Sequence, residues 1–349
     1  MNRRSILLPP LSALYGALTK TRLSLYRRGT FRTSKLPAPV ISVGNLTVGG
    51  TGKTPLVEWV AKILADEGKK VCILTRGYKR KNPGEHVLVS DGEKILVTPL
   101  EAGDEAFLLA NRLVSRAAVV SDANRIAAGE GAMKHLGSNC FVLDDGFQHL
   151  RLARDLDIVA IDATYPWGGG NLLPYGRLRE PRSGLSRAHC VVVSRVDQIE
   201  NYQPLMSELR QLTSAPIFTS RMKTIGLEPI HSYTTSVDSS KRCFAFCGVG
   251  NPDSFFRQLS SLDLEVVERK AYADHQTYSQ HEVSNLVNNA RRAGADWLVT
   301  TEKDSVKLRE LSMGLPCYFL RIEIEIDNEV ELKGLLKKAA NCLFSSRSG

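Results

Sequence analysis

Short apolar runs alternate with amphipathic stretches over most of this chain, and that alternation predicts strands and helices in turn. A series of β-α-β units implies a largely parallel sheet with helices on both faces, which is an α/β fold. The predicted strands of the first part are Val40–Val43, Lys70–Thr75, Ala117–Ser121, Cys140–Asp144, Asp157–Ile161 and Cys190–Ser194, and its helices lie near 54–66, 104–113 and 124–135.

A second α/β series follows a stretch rich in Ser and Thr, Thr219–Ser240, where we place a domain boundary. We therefore predict an N-terminal helix (1–28), a first domain (29–225) and a smaller α/β domain (226–349) that closes over a cleft. Within the first domain, Asp91-Gly92 between two apolar runs predicts a hairpin insertion near 86–98. The second series has predicted strands Cys243–Cys247, Leu264–Arg269, Trp297–Thr300 and Cys317–Leu320, and predicted helices Pro252–Leu262, Gln280–Ala293 and Asp327–Cys342.

Residues 44–55 read Gly-Asn-Leu-Thr-Val-Gly-Gly-Thr-Gly-Lys-Thr-Pro, between the first predicted strand and the first predicted helix of the β-α-β series. Strand, glycine loop and helix in that order are the setting of a phosphate-binding loop, whose N–H groups and helix dipole attract an anion. Lys53 would reach the β- and γ-phosphates and the Thr54 hydroxyl would bind Mg²⁺. A glycine-rich turn into a helix is the alternative, since the strict pattern has glycine at position 47. The predicted nucleotide-binding residues are Thr47, Val48, Gly49, Gly50, Thr51, Gly52, Lys53, Thr54 and Pro55.

An apolar strand ends at Asp144 and Asp145, and in phosphate-loop proteins such a strand delivers a carboxylate to Mg²⁺. Gly146-Phe-Gln-His149 continues at the same strand end, where open α/β sheets place their ligands. The alternative for the two acids is a turn or a helix cap.

A general base is suggested by Asp104, which opens a predicted helix after Gly103. A kinase must accept a proton from the attacking hydroxyl, and a carboxylate can do so. An N-cap is the competing interpretation. His275 lies in a polar loop of the second series, and a contact between it and Asp104 across the cleft would make a dyad.

Several basic side chains follow predicted strands and could bind phosphate oxygens, since guanidinium suits that bidentate task. They are Arg76, Arg125 and Arg179, with His149 nearby and Glu180 a further candidate for metal or lysine. For each arginine taken alone, a surface salt bridge is the simpler interpretation. Thr301-Glu-Lys-Asp304 also follows a strand, and it either faces the cleft or merely caps a helix.

The charge balance favours an anionic partner. Lys plus Arg number 46 against 37 Asp plus Glu, which gives a net charge of +9 over 349 residues. The seven cysteines form no C-x-x-C pair and mostly lie in apolar runs, so we expect buried thiols and neither disulfides nor a zinc site.

The N-terminal segment is basic at its start, apolar from Ile6 to Leu18 and basic again beyond. Its apolar part is too short to cross a bilayer. A helix from about Leu11 to Arg28 would suit an anionic membrane interface. A signal peptide and a helix packed on its own domain are the alternatives.

Taken together, these motifs resemble the tetraacyldisaccharide 4′-kinase family, the lipid A 4′-kinases of Gram-negative bacteria. Their order and spacing match from about residue 10 to residue 310, and that family's glycine loop also lacks the first glycine. The motifs are Ser42–Pro55, Thr75–Tyr78, Gly103–Glu105, Asp144–His149, Leu173-Pro174 with Arg179–Pro181, Ala273–Gln276 and Thr301–Asp304.

The resemblance implies a phosphate-loop NTPase fold and transfer of the ATP γ-phosphoryl group to the 4′-hydroxyl of an acylated glucosamine disaccharide 1-phosphate, giving lipid IVA with Mg²⁺ as cofactor. It implies Asp104 as base with His275, acids near the metal at Asp144, Asp145 and Glu180, and active-site positions at Arg76, Arg125, His149 and Arg179. It also implies a peripheral protein on the cytoplasmic face of the inner membrane, held by its N-terminal helix, and we expect a monomer.

Two other classes fit less well. A phosphate-loop GTPase or ATPase of the metallochaperone type, acting as a binding switch, would need an N-K-x-D motif and metal-binding clusters that this sequence lacks. A nucleic-acid-binding ATPase would cluster basic and aromatic residues, whereas the charge here is dispersed beyond the N-terminus. We therefore expect no nucleic-acid partner.

Overall fold

The computed structural model describes residues 3–78, 80–231 and 242–341. The elements are α1 (Arg3–Arg27), β1 (Val40–Asn45), α2 (Lys53–Asp66), β2 (Val71–Thr75), β3 (Val87–Ser90), α3 (Pro99–Ala102), α4 (Asp104–Arg112), β4 (Ala117–Ser121), α5 (Arg125–Leu136), β5 (Cys140–Asp144), β6 (Leu156–Asp162), β7 (Cys190–Ser194), α6 (Gln203–Leu212), β8 (Ile217–Pro229), β9 (Cys243–Cys247), α7 (Pro252–Ser260), β10 (Val266–Ala271), α8 (Gln280–Arg292), β11 (Trp297–Thr301), α9 (Glu302–Leu308), β12 (Cys317–Ile326) and α10 (Glu329–Asn341).

All described strands join one twelve-stranded sheet in the order β10-β9-β11-β12-β8-β7-β6-β1-β5-β2-β4-β3. Pairing is parallel except between β12 and β8 and between β3 and β4. Helices α2, α4 and α10 cover one face of the first half, and α5 covers the other. The predicted α/β fold with a mostly parallel sheet is confirmed.

The strand β8 runs through the stretch that we predicted as a polar boundary. It pairs in parallel with β7 through its first residues and antiparallel with β12 along nearly its whole length. Its inward positions carry Ser220 and Met222 as well as Phe218, so its hydrophobic alternation is weak and the strand was missed. The sheet is therefore continuous across residues 225 and 226, and the division into two domains there stays a prediction.

The other predicted strands lie where expected, with ends that shift by up to a few residues. β12 extends beyond Leu320 to Ile326 because its outer half pairs with β8. The predicted hairpin is reduced to β3 and one bridge between Ser90 and Ile95. The short helix α3, the helix α6 and two 3₁₀ segments (Arg182–Arg187 and Val196–Gln198) were not predicted.

The N-terminal helix α1 begins earlier than predicted and runs through Pro9 and Pro10. One side is attached to the body, since Ser12 Oγ donates to the Leu172 carbonyl at 2.8 Å and Tyr15 Oη to the Arg179 carbonyl at 2.8 Å. The other side leaves three leucines exposed: Leu11, Leu14 and Leu18. Within the described residues, no helix is long and apolar enough to cross a bilayer.

Six of the cysteines, Cys72, Cys140, Cys190, Cys243, Cys247 and Cys317, are buried and free. Burial raises the pKa of each thiol, to about 12 for Cys72. The prediction of buried thiols is therefore confirmed for these six, and Cys342 lies outside the described residues.

A buried arginine links three helices on the face of the sheet that carries α2. Arg112 at the end of α4 forms ion pairs with Glu58 of α2 and with Glu302 of α9, and all three side chains are largely buried. Burial opposes the charge of Arg112, but the two carboxylates outweigh it and raise its pKa. Helix α9 belongs to the second half of the chain, so the ion pairs of Arg112 connect the two halves.

We expect Arg112→Met to lower the free energy of unfolding by about 3 kcal/mol or more, since two buried carboxylates lose their shared partner. Glu58 retains its ion pair with Lys62 at 2.7 Å, so most of the lost free energy of unfolding should come from the broken pair with Glu302. Urea unfolding measures the change.

The matched control is Arg116→Met, which removes an exposed ion pair to Asp66 and should cost less than about 1 kcal/mol. Equal losses in the two variants would show that the Arg112 link contributes no more than a surface pair.

Candidate active site

The predicted site residues meet at the carboxyl ends of the central strands, around a cavity of about 1030 Å³. This is the edge at which open α/β sheets bind ligands. The cavity is also lined by Tyr15, Thr19 and Arg22 of α1 and by residues of the second half of the chain. The predicted site residues that line it are Val48, Gly49, Gly50, Lys53, Arg76, Arg125, Asp144, Asp145, His149, Arg179, Glu180 and His275.

The glycine loop between β1 and α2 has the shape that anion binding requires. Gly49 has φ 116° and Gly52 has φ 78°, values that favour glycine, and Gly52 is the N-cap of α2 without a side-chain cap. The first N–H groups of α2 therefore have no partner within the helix. A Cβ at Gly52 would lie 2.9 Å from Met222 Cε, the flexible end of that side chain, so it is the positive φ that favours glycine there.

Two side chains close to the loop bind the ammonium group of Lys53. Its Nζ lies 3.0 Å from Asn45 Oδ1 and 3.1 Å from Asp145 Oδ1. Asn45 also donates to the Thr47 carbonyl at 2.7 Å and to Thr51 Oγ1 at 3.0 Å. The amide of Asn45 thus fixes the loop and the lysine together, a role that the sequence analysis did not assign.

Two residues at the end of β7 hold the loop by hydrogen bonds to its carbonyl groups. Ser194 Oγ donates to the Thr51 carbonyl at 3.0 Å, and Arg195 donates to the Gly50 carbonyl at 2.9 Å. Across the loop, a Cβ on Gly250 of the second half would lie 3.0 Å from the Gly50 nitrogen. A second cavity of about 180 Å³ lies here, and Thr51, Gly52, Thr54 and Pro55 line it together with Lys53. Thr47 is buried and lines neither cavity.

The two acids at the end of β5 have opposite electrostatic surroundings. Asp144 is buried, accepts a hydrogen bond from Thr75 Oγ1 at 3.0 Å, and has a pKa raised to about 7 by burial and by the charges of Glu105 and Asp145. For Asp145, burial opposes ionisation, but Lys53 and Arg179 outweigh it and lower the pKa. Arg179 Nη1 lies 2.6 Å from Asp145 Oδ2.

These oxygens suit a small hard cation held jointly with a nucleotide. Mg²⁺ usually takes one or two carboxylates and the substrate phosphates, not an all-protein cage. In the part of the chain that the structure describes, no three His, Cys, Asp or Glu side chains form a metal-binding group. Asp144 is a buried carboxylate that forms an ion pair with no cation among the described residues, and the Thr54 hydroxyl lies at the start of α2, so this donor set fits Mg²⁺ with bound phosphates.

Glu180 lines the cavity but is already paired. Both of its oxygens accept from Arg187, at 2.7 and 3.1 Å, and Gln148 Nε2 donates to it at 2.8 Å. Gln148 also donates to the Asn45 carbonyl at 2.9 Å. These contacts favour a supporting role for Glu180 beneath the loop, and its metal role stays a prediction.

The three predicted arginines differ in burial. Arg76 is exposed on the cavity wall, and Arg125 is buried, with a pKa lowered by burial despite the charge of Asp144. Arg179 is ion-paired with Asp145. All three line one cavity, and their role in anion binding stays a prediction.

His149 also faces the cavity, and its Nε2 is buried without a hydrogen-bond partner. Burial and the neighbouring charges of Arg125 and Arg154 lower its pKa to about 4. The imidazole is therefore neutral at neutral pH.

Asp104 and His275 are in contact across the two halves of the chain. His275 Nδ1 lies 3.2 Å from Asp104 Oδ2, and Lys307 Nζ lies 3.4 Å from the same oxygen. Burial opposes ionisation of Asp104, but the hydrogen bond from His275 and the charge of Lys307 outweigh it and lower the pKa. The N-cap of α4 is Gly103, so capping by Asp104 is not seen.

Asp104 is partly buried beside His275, and His275 lines the large cavity. The loop before α8 places His275 with φ 60°, and its N–H donates to the Gly248 carbonyl at 3.0 Å. Lys303 and Glu105 complete the wall, and neither was assigned a role from the sequence. The motif Thr301–Asp304 caps α9 through Thr301 and also places Lys303 on the cavity, so both interpretations of the motif apply.

A comparison with protein families gives a result that agrees with this fold and with this arrangement of site residues. A family model described as tetraacyldisaccharide-1-P 4′-kinase (LpxK) matches residues 4–341. The chain belongs to the tetraacyldisaccharide 4′-kinase family. It is therefore an enzyme, and the predicted resemblance is confirmed.

Named relatives support this membership over the whole length. The tetraacyldisaccharide 4′-kinase of Desulfotalea psychrophila is 39% identical over 326 residues, which are 92% of this chain and 93% of the relative. That of Syntrophus aciditrophicus is 38% identical, covering 95% and 92%. The crystal structure of "apo" form LpxK from Aquifex aeolicus in complex with ATP has a TM-score of 0.76 and 33% identity, covering 97% of this chain and 100% of that one.

The lowered pKa of His149 predicts a pH dependence of stability. Its folded pKa of about 4 lies below the ordinary 6.5, so the stability from its neutral form is present above pH 6.5 and is lost as pH falls through 4. When the pH is lowered from about 7 to about 4.5, we expect the free energy of unfolding to fall less for His149→Gln than for the unchanged protein.

Urea unfolding at the two pH values measures this difference. The exposed His135 supplies the control, because His135→Gln should follow the unchanged protein. If His149→Gln loses as much stability as the control over this interval, the imidazole is not kept neutral by its surroundings.

Proposed function

We propose that this enzyme transfers the γ-phosphoryl group of ATP to the 4′-hydroxyl of an acylated glucosamine disaccharide 1-phosphate, a lipid A precursor, to give lipid IVA. The observation that carries the proposal is one continuous cavity, which has the glycine loop on one wall and His275, in contact with Asp104, on another. Donor and acceptor can therefore meet in a single chamber, and family membership names the acceptor.

The nucleotide phosphates would lie on the loop. The free N–H groups at the start of α2 and the ammonium of Lys53 would bind them, and Lys53 would leave Asp145 and Asn45 for the phosphate oxygens. Mg²⁺, when bound, neutralises charge that builds up on the phosphates, and the residues that would hold it are Thr54 and Asp144 with Asp145 nearby.

The acceptor hydroxyl would give its proton to Asp104. Both the hydrogen bond from His275 and the ion pair with Lys307 use Oδ2, so Oδ1 is the atom that we assign as proton acceptor. The lowered pKa keeps this carboxylate ionised at neutral pH. Such a weak base suits phosphoryl transfer, because the loose transition state requires positioning more than strong deprotonation.

The charge and shape of the remaining walls suit an anionic lipid. Arg76 and Arg125 would bind phosphate oxygens of the nucleotide or of the lipid disaccharide. Helix α1 adds Tyr15, Thr19 and Arg22 to the cavity while presenting Leu11, Leu14 and Leu18 outward. We propose that this outer side lies in the cytoplasmic leaflet of the inner membrane, so that the acyl chains need not leave the bilayer. We propose that the enzyme acts as a monomer.

The decisive experiment measures turnover of Mg-ATP with and without detergent-dispersed acylated disaccharide 1-phosphate, and locates the new phosphate by mass spectrometry. Lipid-dependent turnover with phosphate at the 4′ position supports the proposal. Turnover without lipid, or phosphate on another position, contradicts it.

We expect Asp104→Asn to lower kcat by roughly 10²- to 10⁴-fold with little change in the KM for ATP, because the amide keeps the shape but cannot accept the proton. Steady-state kinetics with the lipid disaccharide tests this. Asp66→Asn, at the end of α2 in an exposed ion pair, is the control and should leave kcat unchanged. Equal kcat values for Asp104→Asn and the unchanged enzyme would remove Asp104 as the base.

We expect the pair Leu14→Glu and Leu18→Glu to weaken binding to vesicles of anionic phospholipid at least about tenfold, since two leucines lose their burial in the interface. Their exposed fractions are 57% and 62%, so the folded protein should tolerate the change. Co-sedimentation measures the binding.

Leu100→Glu is the matched control, because Leu100 is also 62% exposed but lies outside α1. If the α1 pair and the control bind vesicles equally, α1 is not the membrane contact.

A further inference from the structure

Lys303 lies in the first turn of α9 and contacts three groups of the candidate site. Its Nζ is 3.2 Å from Glu105 Oε1, 3.5 Å from Asp274 Oδ1 and 3.2 Å from His275 Nε2. Burial opposes its charge, but Glu105 and Asp274 outweigh burial and raise the pKa, so the side chain is an ammonium ion. Two carboxylates from the two halves of the chain hold this cation against the imidazole.

The contact with His275 determines where the imidazole proton lies. An ammonium group has only protons to donate and no lone pair, so the Nε2 atom that faces it must present its lone pair. A neutral imidazole then carries its proton on Nδ1, and Nδ1 lies 3.2 Å from Asp104 Oδ2. The Nδ1 proton, which orients the proposed base Asp104, is therefore fixed by Lys303 on the opposite side of the ring.

Without that cation, the surroundings of His275 would favour another arrangement. Asp274 Oδ1 lies 3.9 Å from Nε2 and would attract a proton there. Nδ1 would then turn a lone pair toward the Asp104 carboxylate, which is repulsive. Tyr78 packs its ring edgewise against His275 at 5.2 Å, and Lys307 lies on the Asp104 side of the ring.

We propose that Lys303 is a positioning residue that fixes the Nδ1–H tautomer of His275 and so holds Asp104 in the geometry for accepting the substrate proton. This inference rests on the proposed function for its catalytic consequence. Lys303 acts through His275, and its own contacts with Glu105 and Asp274 keep it in place.

The direct test is the tautomer of His275 in the full-length protein. Long-range ¹⁵N–¹H correlation spectra of ¹⁵N-histidine-labelled protein distinguish protonated from bare ring nitrogens, and His275→Asn identifies the signal. We expect Nδ1 protonated and Nε2 bare in the unchanged protein. A proton on Nε2 there would overturn the proposal, and this measurement requires no variant of Lys303 to fold.

Two substitutions then separate Lys303 from its surroundings. Lys303→Met should move His275 toward the Nε2–H tautomer, whereas Lys303→Arg retains N–H donors and charge and should keep the Nδ1–H form. An unchanged tautomer in Lys303→Met would refute the assignment to this lysine.

Kinetics supplies the second readout. We expect Lys303→Met to lower kcat by about 10- to 100-fold, as for other residues that orient a reacting group, with the KM for ATP nearly unchanged. Lys337→Met, which removes a surface ion pair with Glu67, is the control and should keep full activity. A raised KM for ATP with normal kcat would make Lys303 a phosphate contact and overturn the proposal.

The two readouts also separate this inference from the proposed function. If the unchanged enzyme fails to phosphorylate the lipid disaccharide, the proposed function fails, and the NMR spectra still decide the Lys303–His275 contact. If the enzyme is active and Lys303→Met alters neither tautomer nor kcat, only the inference about Lys303 fails.

Discussion

The turn at Gly52 and Lys53, where a parallel strand gives way to a helix, is the constraint on which the rest of this enzyme depends. The β1 strand is buried between β5 and β6, so the loop after it must leave the sheet at its carboxyl edge. The unpaired N–H groups of α2 then face the same space as the acids that end β5. Anion site and carboxylates meet because neighbouring parallel strands end at one edge.

The second half of the chain completes the site through a single continuous sheet. Strand β8 carries the sheet across to β12, and α9 then brings its lysines beside the start of α4. The contact between His275 and Asp104 is thus made by residues far apart in sequence but fixed to one framework. Lys303, on the other side of the imidazole from Asp104, is held by carboxylates of both halves and is part of that framework.

Much of this could be predicted from the sequence, because buried parallel strands are nearly continuous apolar runs and the glycine loop has a physical signature. The strand β8 could not, since its inward positions include Ser220 and Met222. The contact between Asp104 and His275 depends on how the halves pack, which no local pattern contains. Glu180 illustrates the same limit, because its partner Arg187 comes from a 3₁₀ segment with no sequence signal.

The last helix has a consequence for how the protein is made. Leu332, Leu336, Ala339 and Ala340 of α10 belong to the same core as Ile41 of β1 and Leu56 of α2, so the C-terminal helix covers apolar surface of the N-terminal half. During synthesis, that surface stays uncovered until α10 has left the ribosome. Until then the N-terminal half exposes part of its apolar core, a condition that favours aggregation of a nascent chain.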